Sequence, residues 1–314
     1  MQASAPPLSI PLLPMLPMPL RQWAQQLEPA LWRLLVPGEV TDGLDLARRN
    51  GTVIGFAQRL LDALNIHFKL DDCDRKRIPA DGPVVIVANH PYGIVEGLIL
   101  AALLDRVRPD WKIVVNLILA SIAELRAHMI LVNPFGVAEA NSRNRAPLRE
   151  SMRLLSAGGA LVMFPAGEVA HLNWTEHSIA DPPWKTTAAR LALRSRSPVV
   201  PVFSEGANSM PFQVAGVLHP GLRTIGLARE FHKMRGKTVR LRIGTPILHN
   251  VLNGYRDAEH ATAYMRSRAL FLANRSEAAP FQSTTYMAGN RARAIEPSGS
   301  ERLLSEEIAA LPAT

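Results

Sequence analysis

The stretch VVIVANHPYGIVEGLIL, residues 84–100, decides the fold because it passes from a strand through a turn into a helix. Its β-branched residues predict a buried strand that ends at Asn89 and His90. Pro91 prevents a helix from starting at the histidine, and Gly93 permits a positive φ. The sequence therefore predicts a strand that presents two polar side chains on a tight turn before an apolar helix begins.

His90 and Glu96 in this turn allow two interpretations. A histidine at the end of a strand can act as a general base near neutral pH, usually with a carboxylate that fixes its tautomer. Glu96 can supply that carboxylate if the turn folds back; otherwise both are ordinary turn residues. No GxSxG-type nucleophile accompanies the histidine, so a catalytic His90 would activate a hydroxyl or amine of the substrate for direct transfer.

Short apolar strands alternate with helices from residue 82 onward. The strands are predicted at 83–89, 111–116, 130–135, 160–167, 198–206 and 238–247. The helices are predicted at 95–107, 117–129, 147–158, 186–196 and 257–275. This alternation predicts an α/β fold with a central, largely parallel sheet flanked by helices. In such sheets, functional residues collect at the carboxyl ends of the strands.

The chain is predicted to have four parts. They are a flexible apolar arm at 1–20, an N-terminal helical region at 21–81, the α/β domain at 82–275 and a mobile polar tail at 276–314. The arm carries no charge and six prolines, which argues against a signal or membrane helix. Two helices are predicted in the second part, at 21–38 and about 42–66, with Gly51 and Gly55 as weak points in the latter.

Composition limits the classes of partner. The 314 residues are 47% apolar, enough for a substantial core, and carry a net charge of +8 with a pI near 10.1. Such a surface suits an anionic partner, whether nucleic acid, phospholipid or acidic protein. Dispersed basic residues and only 6% aromatic residues disfavour nucleic acid. Cys73 is the single cysteine, which excludes an internal disulfide and fits a reducing compartment.

Three further features follow the turn. They are VNPFG at 132–136 with Arg143, Arg145 and Arg149 behind it, MFPAGEVAH at 163–171, and VVPVFSEG at 199–206. A strand that ends in Pro-Ala-Gly can present N–H groups to a phosphate or an oxyanion, and arginines can bind phosphate. Taken alone, the Pro-Ala-Gly segment can equally be an ordinary turn. The arginines can equally lie on a solvated loop and helix face. Glu168, His171 and His177 could ligate zinc, but their spacing matches no metal motif.

Together and in this order, the four features resemble the glycerolipid acyltransferase family, the 1-acylglycerol-3-phosphate and lysophospholipid acyltransferases, over about residues 82–250. The pattern NHP.G...G followed by FPAGE is most similar to the hemolysin-like branch. The resemblance implies an O-acyltransferase of lipid metabolism and phospholipid biosynthesis. Such an enzyme moves a fatty acyl group from acyl-CoA or acyl carrier protein to the hydroxyl of a lysophospholipid or another lyso-lipid. It implies no metal and no cofactor beyond the thioester co-substrate.

The resemblance also implies roles for individual residues. His90 is implied as the general base and Glu96 as its acidic partner, and the VPV motif at 200–202 is implied to shape the site. The residues implied in substrate binding are Asn89, Gly93, Arg143, Arg145, Phe164, Pro165, Gly167 and Glu168.

Two departures from the family pattern narrow the branch of the family and the class of acceptor. Five residues separate His90 from Glu96, where the common form has four and an aspartate; the longer spacing favours the hemolysin-like branch. FPAGEV stands where FPEGTR is usual, so an acid after the proline and an arginine after the glycine are missing. These losses favour a lyso-lipid with a head group other than glycerol phosphate, for example a lyso-ornithine lipid.

The expected partners are a lyso-lipid acceptor, acyl carrier protein or a CoA thioester, and a membrane surface with anionic lipids, without nucleic acid. The expected location is cytoplasmic, peripheral on the inner face of the cell membrane. Two alternatives stay open. One is a catalytically inactive lipid- or membrane-binding protein of the same fold, and the other is a metal-dependent hydrolase that uses Glu168, His171 and His177.

Overall fold

The part of the chain whose structure is described runs from residue 37 to residue 275 with gaps. The computed structural model describes residues 37–49, 55–116, 122–132, 145–173, 177–218 and 220–275. The predicted arm at 1–20, most of the helix predicted at 21–38 and the tail at 276–314 lie outside these residues. The predicted domain boundaries therefore stay predictions.

The described residues form ten α-helices, two short 3₁₀ helices at Ala123–His128 and Leu272–Asn274, and nine strands. The helices are α1 (Gly38–Arg49), α2 (Phe56–Ala63), α3 (Asp72–Arg75), α4 (Val95–Val107), α5 (Arg145–Ser156), α6 (Thr187–Ser195), α7 (Met210–Leu218), α8 (Pro220–Lys233), α9 (His249–Asn253) and α10 (Ala258–Phe271). The strands are β1 (His67–Lys69), β2 (Val84–Ala88), β3 (Trp111–Asn116), β4 (Met129–Val132), β5 (Ala160–Met163), β6 (His171–Asn173), β7 (Ser178–Ala180), β8 (Val199–Ser204) and β9 (Thr238–Ile243).

Seven of these strands form one sheet in the order β1-β9-β8-β2-β5-β3-β4, and β6 and β7 form a separate antiparallel hairpin. β2 lies between β5 and β8 and pairs with both in parallel. Within the described sheet, only the pairing of β8 with β9 is antiparallel. The predicted α/β fold, with a largely parallel central sheet flanked by helices, is confirmed.

Alternate side chains of β2 enter two layers of the core. Val84, Ile86 and Ala88 pack in the cluster that contains residues of α2 and α4, whereas Val85 and Val87 pack with α6 and α10. All five are fully buried. Burial on both faces explains why this strand is a continuous apolar run without polar alternation.

The helix predicted at about 42–66 is divided into α1 and α2. Gly55 precedes α2 with a φ of +75°, a left-handed conformation that interrupts a helix and that glycine adopts without strain. Its N–H donates to the Asp105 carboxylate of α4 at 3.0 Å, which anchors the break on a neighbouring helix.

The helix predicted at 117–129 is wrong over its described part. Residues Ala123–His128 form a short 3₁₀ helix, and Met129 already belongs to β4, where it pairs with Ile113 of β3. Hydrogen bonds between strands replace helical ones there, and this tertiary preference overrides the local periodicity.

Among the described helices, none combines the length and the apolar character that a membrane span requires.

Asp74 connects α3, β9 and the segment after α10. Its carboxylate is completely buried. It accepts hydrogen bonds from the Ile243 N–H at 2.8 Å and from Arg77 Nη1 at 2.9 Å, and it pairs with both terminal nitrogens of Arg275. A buried carboxylate with this many donors holds three separate segments in one arrangement.

We expect Asp74→Ala to lower the free energy of unfolding by about 3–5 kcal/mol, because two arginines lose their shared counter-charge. Denaturant unfolding measures the difference. Asp72→Ala is the matched control, since the Asp72 side chain is 89% exposed and its loss should change stability by about 0.5 kcal/mol or less. Equal effects of the two substitutions would contradict the structural role of Asp74.

Candidate active site

Asn89 joins the ends of two central strands next to His90. Its Nδ2 donates to the Ser204 carbonyl at 2.8 Å, and its Oδ1 accepts the Ser204 N–H at 2.7 Å. Both amide groups are occupied and the residue is buried. The structure therefore gives Asn89 a positioning role between β2 and β8, and the substrate binding that the resemblance implied stays a prediction.

The turn after His90 folds back on Glu96. The carboxylate atom Oε1 accepts the N–H of Tyr92 at 3.0 Å and that of Gly93 at 2.9 Å. Gly93 has a φ of +93°, and a Cβ there would come within 2.8 Å of the side chains of Val169 and Leu227. Only glycine satisfies both constraints, so Gly93 shapes the turn through its backbone.

His90 and Glu96 meet across this turn. Nδ1 of His90 lies 2.9 Å from Oε1 of Glu96. The distance is that of an ion pair, although the ring N–H does not point straight enough at the oxygen for a hydrogen bond. Catalytic contacts are often poorly aligned until substrate is bound. The imidazole also stacks on Phe164, with ring centroids 4.2 Å apart and planes 24° apart, which fixes the plane of the ring.

Glu96 is a buried, ionised carboxylate. Burial by itself raises the pKa of its carboxyl group, but the contact with His90 and the N–H of Gly93 more than offset this and hold the pKa below its ordinary value. Oε2 is buried and has no hydrogen-bond partner among the described residues. The geometry thus keeps Glu96 ionised beside the imidazole, where a negative charge stabilises an imidazolium.

Asp181 is a second acidic residue of the site, and no pattern in the sequence indicated it. Its Oδ1 accepts the backbone N–H of His90 at 3.0 Å, and its Oδ2 accepts the indole N–H of Trp184 at 3.0 Å. The carbonyl of His90 in turn accepts the N–H of Ala170 at 2.8 Å. Burial raises the pKa of Asp181, and the charge of Glu96 adds to that rise, whereas the two donors oppose it. Local motifs miss this residue because the hairpin of β6 and β7 brings it to the site.

The FPAG segment forms a tight turn at the end of β5. The N–H of Gly167 donates to the Phe164 carbonyl at 2.9 Å, and Gly167 has a φ of +73°. This N–H is therefore not available for an anion, which corrects the expectation for Gly167. The Pro165 carbonyl accepts the N–H of Lys185 at 2.9 Å, so a basic residue lies over the turn.

The other residues with implied roles lie on α5, after the FPAG turn, in β8 or outside the described residues. Arg143 lies outside the described residues. Arg145 is the exposed first residue of α5, and Glu168 is exposed after the FPAG turn. The VPV motif lies in β8, buried beside β2.

The described residues offer one group of three possible metal ligands within 4.8 Å of one another, Asp71, Cys73 and Asp74. Glu168, His171 and His177 form no such group, so the geometry does not support the predicted hydrolase set. The Asp74 carboxylate is already bound by Arg77 and Arg275, which leaves this group a structural cluster.

Tyr92 and the segment before α7 close the other side of the turn. The Tyr92 hydroxyl donates to the Glu205 carbonyl at 3.0 Å, and its own carbonyl accepts from Asn208 Nδ2 at 3.4 Å. Burial, together with the charges of Glu96 and Glu205, raises the pKa of Tyr92. Helices α7 and α8 were not predicted from the sequence, yet α7 reaches the hairpin through Gln213, whose Oε1 accepts the Leu172 N–H at 3.0 Å.

We expect Asp181→Ala to lower the free energy of unfolding by about 2 kcal/mol, because the donors of His90 and Trp184 lose their acceptor inside the protein. The same substitution should speed hydrogen exchange at the His90 amide, whereas Asp181→Asn, which keeps one acceptor, should have a smaller effect. Asp62→Ala on the exposed face of α2 is the control. Unchanged exchange at His90 in Asp181→Ala would rule out the positioning role.

Comparison with known proteins identifies the family to which this chain is similar. Residues 65–279, more than half of the chain, match the model of a family described as Acyltransferase. The lyso-glycine lipid O-acyltransferase of Phocaeicola vulgatus is 27% identical over 210 residues, which are 63% of this chain and 71% of that protein. The lyso-glycine lipid O-acyltransferase of Bacteroides thetaiotaomicron is 28% identical over 184 residues, 55% of this chain and 63% of that protein.

A solved structure is also similar in backbone. The crystal structure of the 1-acyl-sn-glycerophosphate (LPA) acyltransferase PlsC from Thermotoga maritima aligns with 81% of this chain and 92% of that chain. The TM-score is 0.48 and the sequence identity is 14%.

Proposed function

This chain belongs to the acyltransferase family, and we propose that it transfers a fatty acyl group from a thioester to the hydroxyl of a lyso-lipid. The resemblance to glycerolipid acyltransferases and the enzyme class predicted from the sequence are confirmed by the family match. The assignment to the hemolysin-like branch stays a prediction. The proposed chemistry uses a histidine base with a carboxylate beside it and forms no covalent enzyme intermediate.

The observation that carries the proposal is the contact between His90 and Glu96 at the carboxyl end of β2. A buried carboxylate lies 2.9 Å from Nδ1, which favours the tautomer with its proton on that nitrogen. Nε2 is then the basic atom, and it has no hydrogen-bond partner among the described residues. The His90 side chain is 15% exposed, enough for a substrate hydroxyl to approach this atom.

The proposed reaction is a direct transfer. Nε2 of His90 takes the proton of the acceptor hydroxyl while that oxygen attacks the carbonyl carbon of the thioester. The carbon–sulfur bond then breaks, and the imidazolium returns the proton to the leaving sulfur, so the products are the acylated lipid and a free thiol. Glu96 stabilises the imidazolium between these steps.

The acceptor is proposed to be a lyso-lipid without a glycerol phosphate head group. The FPAGEV segment lacks the acid and the arginine that the family pattern usually has there. Both curated relatives are named for a lyso-glycine lipid. Lyso-glycine lipid is therefore the first acceptor to assay, followed by lyso-ornithine lipid and 1-acylglycerol-3-phosphate.

The donor is proposed to be acyl-CoA or acyl carrier protein, at a cytoplasmic membrane face with anionic lipids. The net charge of +8 supports attraction to acidic carriers and to anionic bilayers. No residue of the proposed mechanism needs a metal or another cofactor.

We expect His90→Ala to lower kcat by about 10²–10⁴-fold, because the acceptor hydroxyl loses its base. Formation of the diacylated product from labelled donor measures the rate, and circular dichroism checks the fold. His67→Ala, at an exposed histidine of β1, is the control. Full activity of His90→Ala would overturn the mechanism, and binding of lyso-lipid by the wild type without any turnover would favour the lipid-binding alternative.

We expect Glu96→Gln to lower kcat about tenfold or more with little change in KM, because the imidazolium loses its counter-charge. The pKa of Glu96 is below its ordinary value of 4.5 in the folded protein, so its carboxylate contributes stability above that pH and loses it on acidification. The difference in unfolding free energy between wild type and Glu96→Gln should therefore shrink as the pH falls below about 4.5.

Glu39→Gln, at a side chain that is 53% exposed, is the control for both measurements. Unchanged kcat in Glu96→Gln would make Glu96 a structural residue of the turn. A stability difference that is independent of pH would show that its charge contributes nothing to folding.

A further inference from the structure

A groove with basic walls lies between α5 and α6, on the side of the sheet opposite α4. Its volume is about 1040 Å³. Arg149 and Arg153 project into it from α5, and Arg190 and Arg194 from α6. Each pair has the spacing of one helical turn, so each wall carries two guanidinium groups on one helix face.

These arginines have few counter-charges. Arg190 lies 3.5 Å from Glu259, with both side chains exposed, which makes this a weak pair. Arg149, Arg153 and Arg194 have no ion pair or hydrogen bond with any residue that the structure describes. Among the described residues that line the groove, none is acidic. Like charges at this spacing destabilise a helix slightly, so stability alone does not explain the cluster.

The other residues that line the groove indicate which kind of anionic partner fits it. Leu148, Met152 and Leu191 supply apolar surface between the two basic walls, and Leu148 is 40% exposed. The described lining residues include no aromatic side chain that could stack on a nucleotide base. An apolar strip between rows of arginines fits an amphipathic helix with an apolar ridge and acidic edges, which is a known mode of helix recognition in grooves.

The groove begins beside the candidate active site. Thr186 and Thr187 line one of its ends. The preceding residue, Lys185, donates its N–H to the carbonyl of Pro165. Pro165 follows Phe164, whose ring stacks on His90. A partner seated in the groove therefore lies next to the segment that supports the imidazole.

We propose that this arginine groove docks an acidic helix of the carrier protein that presents the acyl thioester. The inference rests on the proposed function. It gives the acyl donor a binding surface that is separate from the place where the acceptor hydroxyl meets His90. Complementary charge would steer the carrier to the enzyme and fix its orientation, with a rate of association that falls as salt is added. The phosphates of coenzyme A and an anionic bilayer are the competing occupants.

The test compares the wild type with the double variant Arg153→Glu and Arg194→Glu. Fluorescence anisotropy measures the Kd of labelled, acyl-loaded acyl carrier protein, and kcat/KM is measured with the same acyl chain on carrier protein and on CoA. We expect the Kd to rise about tenfold or more and kcat/KM with the carrier to fall in proportion, because repulsion replaces attraction at two of the four arginines. With acyl-CoA, kcat/KM should not change. Arg256→Glu is the matched control, because that side chain is 83% exposed and does not line the groove.

Three outcomes would overturn the proposal. The first is an unchanged Kd for the carrier. The second is an equal loss of kcat/KM with acyl-CoA, which would indicate a phosphate site. The third is a loss confined to the binding of anionic vesicles, which would indicate a membrane surface. The double alanine variant at the same positions, with the thermal midpoint measured, separates lost docking from lost folding. Failure of the wild type to transfer acyl chains from either donor would refute the proposed function. The carrier-binding data would still show whether the groove binds the carrier protein.

Discussion

The site depends on one buried carboxylate, that of Glu96, and on the turn that folds back onto it. Two backbone N–H groups of the turn and the imidazole of His90 all converge on the atom Oε1. A buried anion is stable only when such donors surround it, so the turn, the start of α4 and the histidine constrain one another. The positive φ of Gly93 is the backbone condition for this arrangement.

The histidine is held from several directions at once. Its ring lies between Phe164 and the carboxylate of Glu96, and its backbone is held by Asp181 and Ala170. These contacts come from the start of α4, the end of β5 and the segments on either side of the β6–β7 hairpin. Preorganisation of this kind keeps a base in one orientation without reorganisation during the reaction.

The distribution of charge separates two tasks. Acidic residues collect around His90, with Glu96 beside the ring and Asp181 on the backbone N–H, whereas arginines collect in the groove between α5 and α6. The N-terminal end of α6 lies close to both regions, since Thr187 lines the groove and Lys185 contacts the FPAG turn. A carrier seated in the groove, as proposed, would therefore lie next to the segment that supports His90.

The amino-acid sequence was enough to predict the α/β class and the buried strand before His90, whereas the pairing of that histidine with Glu96 was only implied by the family resemblance. The strand and the turn after it are local features, because an apolar run, a proline and a glycine specify them. The folded structure was needed to show that Met129 is in a strand, that Asp181 holds His90 and that Asn89 clamps β8. The contact of Asp181 with His90 joins residues that are 91 positions apart, and the contact of Asn89 with Ser204 joins residues that are 115 positions apart. Periodicity along the chain carries no information about such distant pairs.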